Sequence, residues 1–426
     1  MSSATVATAE QQGSPKLSAL ITLSSIPLIM VLGNSMLIPV LPKASSVLGV
    51  TSFQVSLLIT LFSIPAAIII PIAGILSDRI GRKKVIFFSL LLYGLGGLLA
   101  GFASIWKGGS YSLLLASRII QGIGAAGTAP IAMVLVSDLY KKESRSKALG
   151  IIEASNAMGK VLSPILGSLI ALITWYAMFF VFPVFTIPAA IALWFLIKEP
   201  TAKKEPPPLD EYIGHIKKIF QRQGKWMMVT FLAGAITMFT MFGVLFYLSN
   251  FLEQAYKIGG VIKGFVLAIP LLALCGTAYF TGSHVKEKTN QMRRLTLIGL
   301  IILALTVGIV PWLKQPVILI SVTFLMGIGS GLILPCLNTL ITSAVGLQER
   351  GIITSLYSSV RFFGVALGPP VFGALENRPF LLFIGTAVAV TLVVFLSLVF
   401  IQRPQRLRGK DGRSRLLIRK RRLHPA

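Results

Sequence analysis

Twelve long apolar runs, parted by short polar turns, decide what this chain of 426 residues can fold into. They cover residues 17–39, 53–77, 85–106, 111–139, 147–173, 176–197, 227–252, 260–281, 293–313, 316–341, 352–375 and 378–401. Each comes close to or exceeds the roughly 20 residues that an α-helix needs to cross a bilayer. Only 13% of the residues are charged and 54% are hydrophobic, whereas about a quarter of a soluble domain is charged. The reading is an all-α polytopic membrane protein of twelve transmembrane helices, numbered here spans 1 to 12. Residues 1–15 are polar and nearly uncharged, and span 1 is too long for a signal-peptide core and has no small-residue cleavage site. It is expected to be a retained helix.

The formal net charge of +26 would suit a nucleic-acid binder, but its distribution points elsewhere. Assigning Lys and Arg to alternate sides, with the N-terminus inside, puts about thirty-one inside, about six outside (Lys43, Lys107, Lys257, Lys263, Lys314, Arg378) and three within spans. This asymmetry predicts both termini in the cytoplasm of a bacterial plasma membrane, with the basic loops facing anionic lipid headgroups. No nucleic-acid partner is expected, and the chain is expected to act as a monomer. Cys275 and Cys336 lie within spans and no Cys/His cluster accompanies them, so no disulfide, metal or cofactor is expected. His215, His284 and His424 all fall outside the spans, which argues against a buried histidine proton relay.

Residues 198–226 form the longest polar segment between spans. Pro206, Pro207 and Pro208 break the chain, and Leu209, Tyr212, Ile213, Ile216 and Phe220 then recur at helical spacing beside Lys217, Lys218 and Arg222. This predicts an amphipathic helix on the inner leaflet. The chain then divides into an N-terminal tail (1–16), a first six-helix bundle (17–197), a linker (198–226), a second six-helix bundle (227–401) and a basic tail (402–426). From Arg403 the tail carries ten Lys/Arg and one acid, Asp411. A like-charge block of that kind is expected to be disordered and to bind anionic lipid.

The two halves repeat. Gly122, Gly124, Pro130, Arg145, Gly159 and Pro164 recur as Gly327, Gly329, Pro335, Arg350, Gly364 and Pro369, all at one offset of 205 residues. Internal duplication marks transporter folds, with the substrate site between the halves near the bilayer midplane. Gly122-Ile-Gly-Ala-Ala-Gly127 satisfies a dinucleotide-binding pattern, but it lies in mid-span with no preceding strand. Small residues there let helices approach closely. No GxxxxGK[ST] loop, catalytic triad or metal cluster supports an enzyme.

Between spans 2 and 3, Gly74-Ile-Leu-Ser-Asp-Arg-Ile-Gly-Arg-Lys-Lys-Val85 is too charged to lie in hydrocarbon and too short to do more than reverse the chain at a surface. Gly74, Leu76, Asp78, Arg79, Gly81, Arg82 and Lys83 resemble the signature loop of the major facilitator superfamily. The resemblance implies a cytoplasmic latch. The equivalent of Asp78 faces the N-terminus of span 11, where the helix dipole favours a carboxylate. The equivalent of Arg82 pairs with that acid and with one at the end of span 4, here Asp138. The second half keeps little of this loop, with Lys286 standing about where Asp78 would repeat.

Leu32-Gly-Asn-Ser-Met-Leu-Ile-Pro-Val-Leu-Pro42 in span 1 and Arg118, Gln121, Gly122 and Gly124 in span 4 are similar to motifs of the twelve-helix drug:proton antiporters. So are Gly150, Gly159, Ser163-Pro164 and Gly167-Ser168 in span 5, although two glycines of that motif are serine here. Span 11 keeps Gly364, Gly368 and Pro369. Proline removes a backbone hydrogen bond and kinks a helix, so the small residues of spans 5 and 11 suit a hinge. Ala148-Leu-Gly-Ile-Ile-Glu-Ala-Ser-Asn156 and Gly159-Lys-Val-Leu-Ser-Pro-Ile-Leu-Gly167, with Ser25-Ile-Pro-Leu-Ile-Met30, resemble Bacillus-type exporters of a catecholate siderophore.

Ionisable groups within a membrane are costly and mark function. Span 4 has Arg118, span 11 has Arg361, and span 5 has Glu153, Asn156 and Lys160 at i, i+3 and i+7, on one face. Lys160 lies about thirteen residues into its span, roughly 20 Å at 1.5 Å per residue. One acid cannot neutralise three bases, so part of this set awaits a mobile partner, which favours an anionic or catechol-bearing cargo. Glu153 is the candidate proton carrier, because burial raises a carboxyl pKa and a nearby cation lowers it. Asn34, Gln121, Asn338 and Tyr357 are further cavity candidates. On span 7, Met238, Phe239, Met241, Phe242, Phe246 and Tyr247 form a soft, adaptable surface, of which Met238 and Phe242 are the cavity candidates.

The expected function is proton-coupled efflux of drug-like or siderophore-like, anionic small molecules by alternating access. The alternatives are a lipid or lysolipid flippase on the same fold and a non-transporting membrane sensor or scaffold.

Overall fold

The computed structural model describes residues 17–106, 110–140, 142–199, 209–284, 289–313, 315–344, 350–401, 405–408 and 414–417. Its helices follow the twelve runs. Span 1 is Leu17–Ser35, a 3-10 turn at Ile38–Val40 and a short helix Leu41–Leu48; spans 2 and 3 are Ser52–Ile80 and Arg82–Ile105. Span 4 is Ser110–Ala126 and Ala129–Leu139, span 5 Lys142–Ile170 and span 6 Ala177–Leu196. In the second half, span 7 is Leu209–Tyr256, span 8 Gly260–His284 and span 9 Thr289–Ile309 with a 3-10 turn at Val310–Trp312. Spans 10, 11 and 12 are Pro316–Ala344, Arg350–Ala374 and Pro379–Phe400.

Local chemistry sets the breaks. Span 4 breaks at Gly127-Thr128, where Pro130 has no N–H for the Ala126 carbonyl. Span 1 breaks before Pro39 and Pro42 for the same reason. Span 2 starts with a capping box, in which the Thr51 hydroxyl accepts from Gln54 N–H and the Gln54 side chain accepts from Thr51 N–H.

Among the described residues eleven helices are long and apolar enough to cross a membrane, and the twelfth, Lys142–Ile170, is long enough at 29 residues but carries Glu153, Asn156, Lys160 and basic first turns. Two expectations need correction. The linker helix is not separate from span 7: one helix of 48 residues runs from Leu209 to Tyr256, because no proline interrupts it. Phe220 and Phe231 are eleven residues apart yet their ring centroids lie 6.2 Å from each other, whereas a straight helix would separate them by about 16 Å along its axis. The helix therefore bends between them. In the tail, Gln405–Arg408 pairs antiparallel with Ser414–Leu417, so part of the segment expected to be disordered forms a two-stranded ribbon.

The repeat seen in the sequence is a repeat of packing. Span 4 packs on spans 2 and 3, span 3 on span 6 and span 5 on span 1; in the second half span 10 packs on spans 8 and 9, span 9 on span 12 and span 11 on span 7. The two principal contacts between the halves, span 2 with span 11 and span 8 with span 5, exchange under the same pseudo-two-fold operation. Two six-helix bundles result. A Cβ on Gly122 would lie 2.1 Å from the Phe62 carbonyl oxygen of span 2, and one on Gly327 would lie 2.2 Å from the Pro270 carbonyl oxygen of span 8. The duplicated glycines are thus the points where span 4 and span 10 touch the backbones beside them. Large apolar side chains such as Ile68, Ile72, Leu95, Phe195, Leu305 and Phe395 are exposed on the outer faces, as a bilayer rather than water requires.

Candidate functional site

The turn at Gly81 is the shortest possible, one residue that ends span 2 and begins span 3. Its φ of 102° is open to glycine and strained for other residues. The turn leaves Asp78 one helical turn before Arg82, and Arg82 Nη2 donates to Asp78 Oδ1 at 3.2 Å. The other arm of the guanidinium meets Asp138 Oδ2 at the end of span 4. Arg79 is exposed beside them, and Gly74 lets Ser355 of span 11 come within 3.3 Å of where its Cβ would stand. The triad of Asp78, Arg82 and Asp138 is therefore assembled within the first half. The residues just before Arg350, where span 11 begins, lie outside the described ones, as does Lys286.

A residue not anticipated from sequence completes this corner. Glu199, three residues past span 6, accepts from the N–H groups of Arg82 (2.6 Å) and Lys83 (3.1 Å). Those two donors open span 3 and have no acceptor in their own helix, and the positive end of the helix dipole adds to the attraction. Lys83 Nζ returns the contact, donating to the Ile197 carbonyl at 2.7 Å and lying 5.1 Å from the Trp194 ring centre. The only sequence signal was a lone acid, Lys198-Glu199-Pro200, at a basic surface.

Arg118 is wholly buried, and neutral acceptors hold it. Its Nε donates to the Leu58 carbonyl at 2.8 Å, and Nη2 to the Gly33 carbonyl at 3.0 Å and to Asn34 Oδ1 at 3.3 Å. Nη1 donates to Gln121 Oε1, and the guanidinium carbon stands 4.5 Å from the Phe62 ring centre. Asn34 Nδ2 passes the network to Ser63 Oγ at 2.8 Å. Asn34, Arg118 and Gln121, all named as cavity candidates from sequence, are joined in a knot tying spans 1, 2 and 4.

The remaining cations are arranged differently. Lys160 of span 5 and Arg361 of span 11, one from each half, are near enough for Arg361 to be the strongest charge acting on Lys160, with Cys275 and Glu153 weaker. Neither cation pairs with a carboxylate among the described residues. Arg361 lies 5.5 Å from the Tyr357 ring centre, and both Arg361 Nε and Tyr357 Oη are buried without a hydrogen-bond partner among the described residues. Cys275 Sγ donates to the Ala157 carbonyl at 3.3 Å across the same gap. Asn156 is half-buried and Glu153 exposed, two turns from Lys160 toward the Lys142 end of span 5. Two cations, one from each half, are thus close enough to act on one another, with Arg361 Nε and Tyr357 Oη unused among the described residues and Glu153 exposed two turns away.

The soft residues of span 7 divide. Phe239 and Tyr247 spend their rings on Phe372 and Phe383, at 5.8 and 4.8 Å, and Met238, Met241 and Phe246 are buried. Phe242 and, on span 10, Asn338 are half-buried. Among the small residues of spans 5 and 11, a Cβ on Gly159 would lie 3.2 Å from the Leu28 carbonyl oxygen and one on Gly167 2.1 Å from the Met36 carbonyl oxygen, both on span 1 or its break. A Cβ on Gly364 or Gly368 would lie 2.2 or 2.5 Å from the Ala235 and Phe239 carbonyl oxygens of span 7. Gly150 faces open space, and Ser163 Oγ donates back to the Gly159 carbonyl at 2.5 Å, beside Pro164. Pro369 follows Gly368. Most of this set thus sits at close helix contacts.

The model of the Major Facilitator Superfamily matches residues 23–369 and again 314–423. The chain is 46% identical to the bacillibactin exporter of Bacillus subtilis, over 89% of its own length and 95% of the relative's. It is 26% identical to the quinolone resistance protein NorA of Staphylococcus aureus, over 86% and 92%. Among solved structures, a bacterial homologue of the human lysosomal transporter Spinster superposes with a TM-score of 0.69 at 16% identity, covering 90% of this chain and 97% of that one. With its twelve helices, duplicated packing and signature loop, this chain belongs to the major facilitator superfamily and is a multi-pass membrane transporter of small molecules, not an enzyme.

Proposed function

We propose that the protein exports a small anionic, catechol-bearing molecule of the siderophore type across a bacterial plasma membrane in exchange for protons, with both termini in the cytoplasm. The observation that carries this reading is the juxtaposition of Lys160 and Arg361 without a paired carboxylate among the described residues. Two like charges facing each other in a low dielectric repel, and a catecholate or carboxylate between them would replace that repulsion with charge-assisted hydrogen bonds. The unused Arg361 Nε and Tyr357 Oη are suited to the same ligand. The bacillibactin exporter among the relatives supports the cargo class.

Because one cation comes from each half, a bound anion draws the bundles 17–197 and 227–401 together and favours alternating access. Glu153, on the same helical face as Lys160, is the proton carrier: it takes a proton from the more acidic outer side once the cargo has left Lys160, and releases it to the cytoplasm as the next cargo binds. The triad of Asp78, Arg82 and Asp138 is the cytoplasmic latch, and the basic loops and tail rest on anionic lipid as the transporter works as a monomer.

Binding to the purified transporter tests the reading. Lys160→Gln and Arg361→Gln should each weaken binding of a catecholate at least about tenfold, the equivalent of one lost charge-assisted contact, while leaving a lipophilic cation unaffected. Equal loss of both ligands would overturn the anionic site.

A further inference from the structure

Three hydrogen bonds cross the seam between the halves in one manner, with a hydroxyl on one half donating to a backbone carbonyl on the other. Thr60 Oγ1 of span 2 donates to the Ala366 carbonyl of span 11 at 2.8 Å. Ser359 Oγ of span 11 donates to the Ala67 carbonyl of span 2. Ser249 Oγ of span 7 donates to the Ile38 carbonyl of span 1 at 2.9 Å.

The acceptors share a property visible only when sequence and structure are read together. Four residues beyond Ala366 is Pro370, beyond Ala67 is Pro71, and beyond Ile38 is Pro42. A helical carbonyl at position i ordinarily accepts the N–H of residue i+4, and proline has no N–H. Each acceptor is thus a carbonyl for which its own helix has no i+4 donor. Ile38, Ala67 and Ala366 are all buried, where an unpaired carbonyl is costly. In each case the replacement donor comes from the opposite half. A fourth seam bond, Cys275 to the Ala157 carbonyl, precedes Val161 and serves as an internal contrast.

We propose that Thr60, Ser249 and Ser359 are positioning residues of the transport cycle, a clasp that holds the two halves closed by supplying the donors that Pro370, Pro42 and Pro71 remove. The bonds are neutral, so parting the seam exposes groups that water can satisfy, and no charge is stranded. The prolines that free these carbonyls also weaken the helices at the same points, which couples opening of the seam to bending of spans 2 and 11. This inference rests on the alternating-access reading, but not on the identity of the cargo.

The test is a distance measurement on the full chain in lipid. Spin labels are placed through Val47→Cys and Ile262→Cys, exposed positions that stand at the same end of the two halves, in a background where Cys275 and Cys336 are replaced by serine. Thr60→Val, Ser249→Ala and Ser359→Ala should each shift the ratio of open to closed distances about fivefold toward open, the weight of one net hydrogen bond. Thr60→Ser keeps the donor and should leave the distribution unchanged. Pro71→Ala restores an N–H to the Ala67 carbonyl, so adding Ser359→Ala to it should have little further effect; Thr60→Val added to Pro370→Ala should behave likewise. Additive effects of Ser359→Ala and Pro71→Ala, or no shift in any hydroxyl variant, would overturn the clasp. Distances that respond as expected in a protein that moves no catecholate would sink the cargo reading and leave the clasp standing.

Discussion

Arg118→Lys is the sharpest probe of the knot at the centre of the first half. Arginine serves four acceptors there, the Leu58 and Gly33 carbonyls, Asn34 Oδ1 and Gln121 Oε1. Its planar fork reaches spans 1, 2 and 4 at once. A lysine ammonium keeps the charge but is a single point on a flexible stem, and it holds at most about two of those acceptors. Losing two charge-assisted bonds at about 1.5–3 kcal/mol each costs roughly 3–6 kcal/mol. That is a large share of the total stability of about 5–15 kcal/mol typical of a folded protein. Arg118→Lys should therefore markedly lower the apparent Tm of the detergent-purified transporter, followed by loss of its helical circular dichroism, and Arg118→Ala should lower it further. A lysine variant as stable as the parent, with only its cargo affinity reduced, would refute the reasoning and return Arg118 to the cavity.

The same geometry carries other predictions. Gly122→Ala and Gly327→Ala should destabilise the protein to similar degrees, since each added Cβ meets a backbone carbonyl at 2.1 or 2.2 Å; thermal unfolding of the two variants side by side checks the structural repeat. Glu199→Ala should cost about 1 kcal/mol, as loss of a helix N-cap does, and should slow transport by loosening Arg82, which a melting curve paired with a transport rate measures. Glu153→Gln should abolish the dependence of export on the proton gradient while leaving cargo binding within a fewfold; proton-driven export at the parent's rate would remove Glu153 from the carrier's role.

Much of this could be seen in the chain itself. Hydrocarbon makes length and apolarity decisive, so the spans could be read directly, and span 5 sits at the margin because Glu153, Asn156 and Lys160 lie within it. The repeat showed as one offset because the same residues, Gly122 and Gly327 among them, must be small wherever span 4 or span 10 meets the span beside it. Asp78 and Arg82 could be paired from the sequence because they lie four residues apart, whereas Asp138, more than fifty residues on, was placed beside them only by the resemblance. Glu199 stayed hidden because its capping role depends on span 6 ending beside the start of span 3, a contact more than a hundred residues apart in sequence. The sequence marked Arg118 as an intramembrane charge, but carbonyl acceptors have no side-chain signature. The boundary between linker and span 7 was misplaced because helical propensity continues across it, and only the close approach of Phe220 to Phe231 reveals the bend. The seam hydroxyls needed both views, since a proline in the sequence leaves a carbonyl without its i+4 donor but only the fold shows which serine or threonine answers it.

The most direct test of the positive pole formed by Lys160 and Arg361 is uptake into everted membrane vesicles under an imposed pH gradient, with a catecholate anion and a lipophilic cation compared in the same preparation. Gradient-driven uptake of the catecholate is expected, and Lys160→Gln and Arg361→Gln should each abolish it. Uptake of the cation alone, unaffected by either substitution, would contradict it.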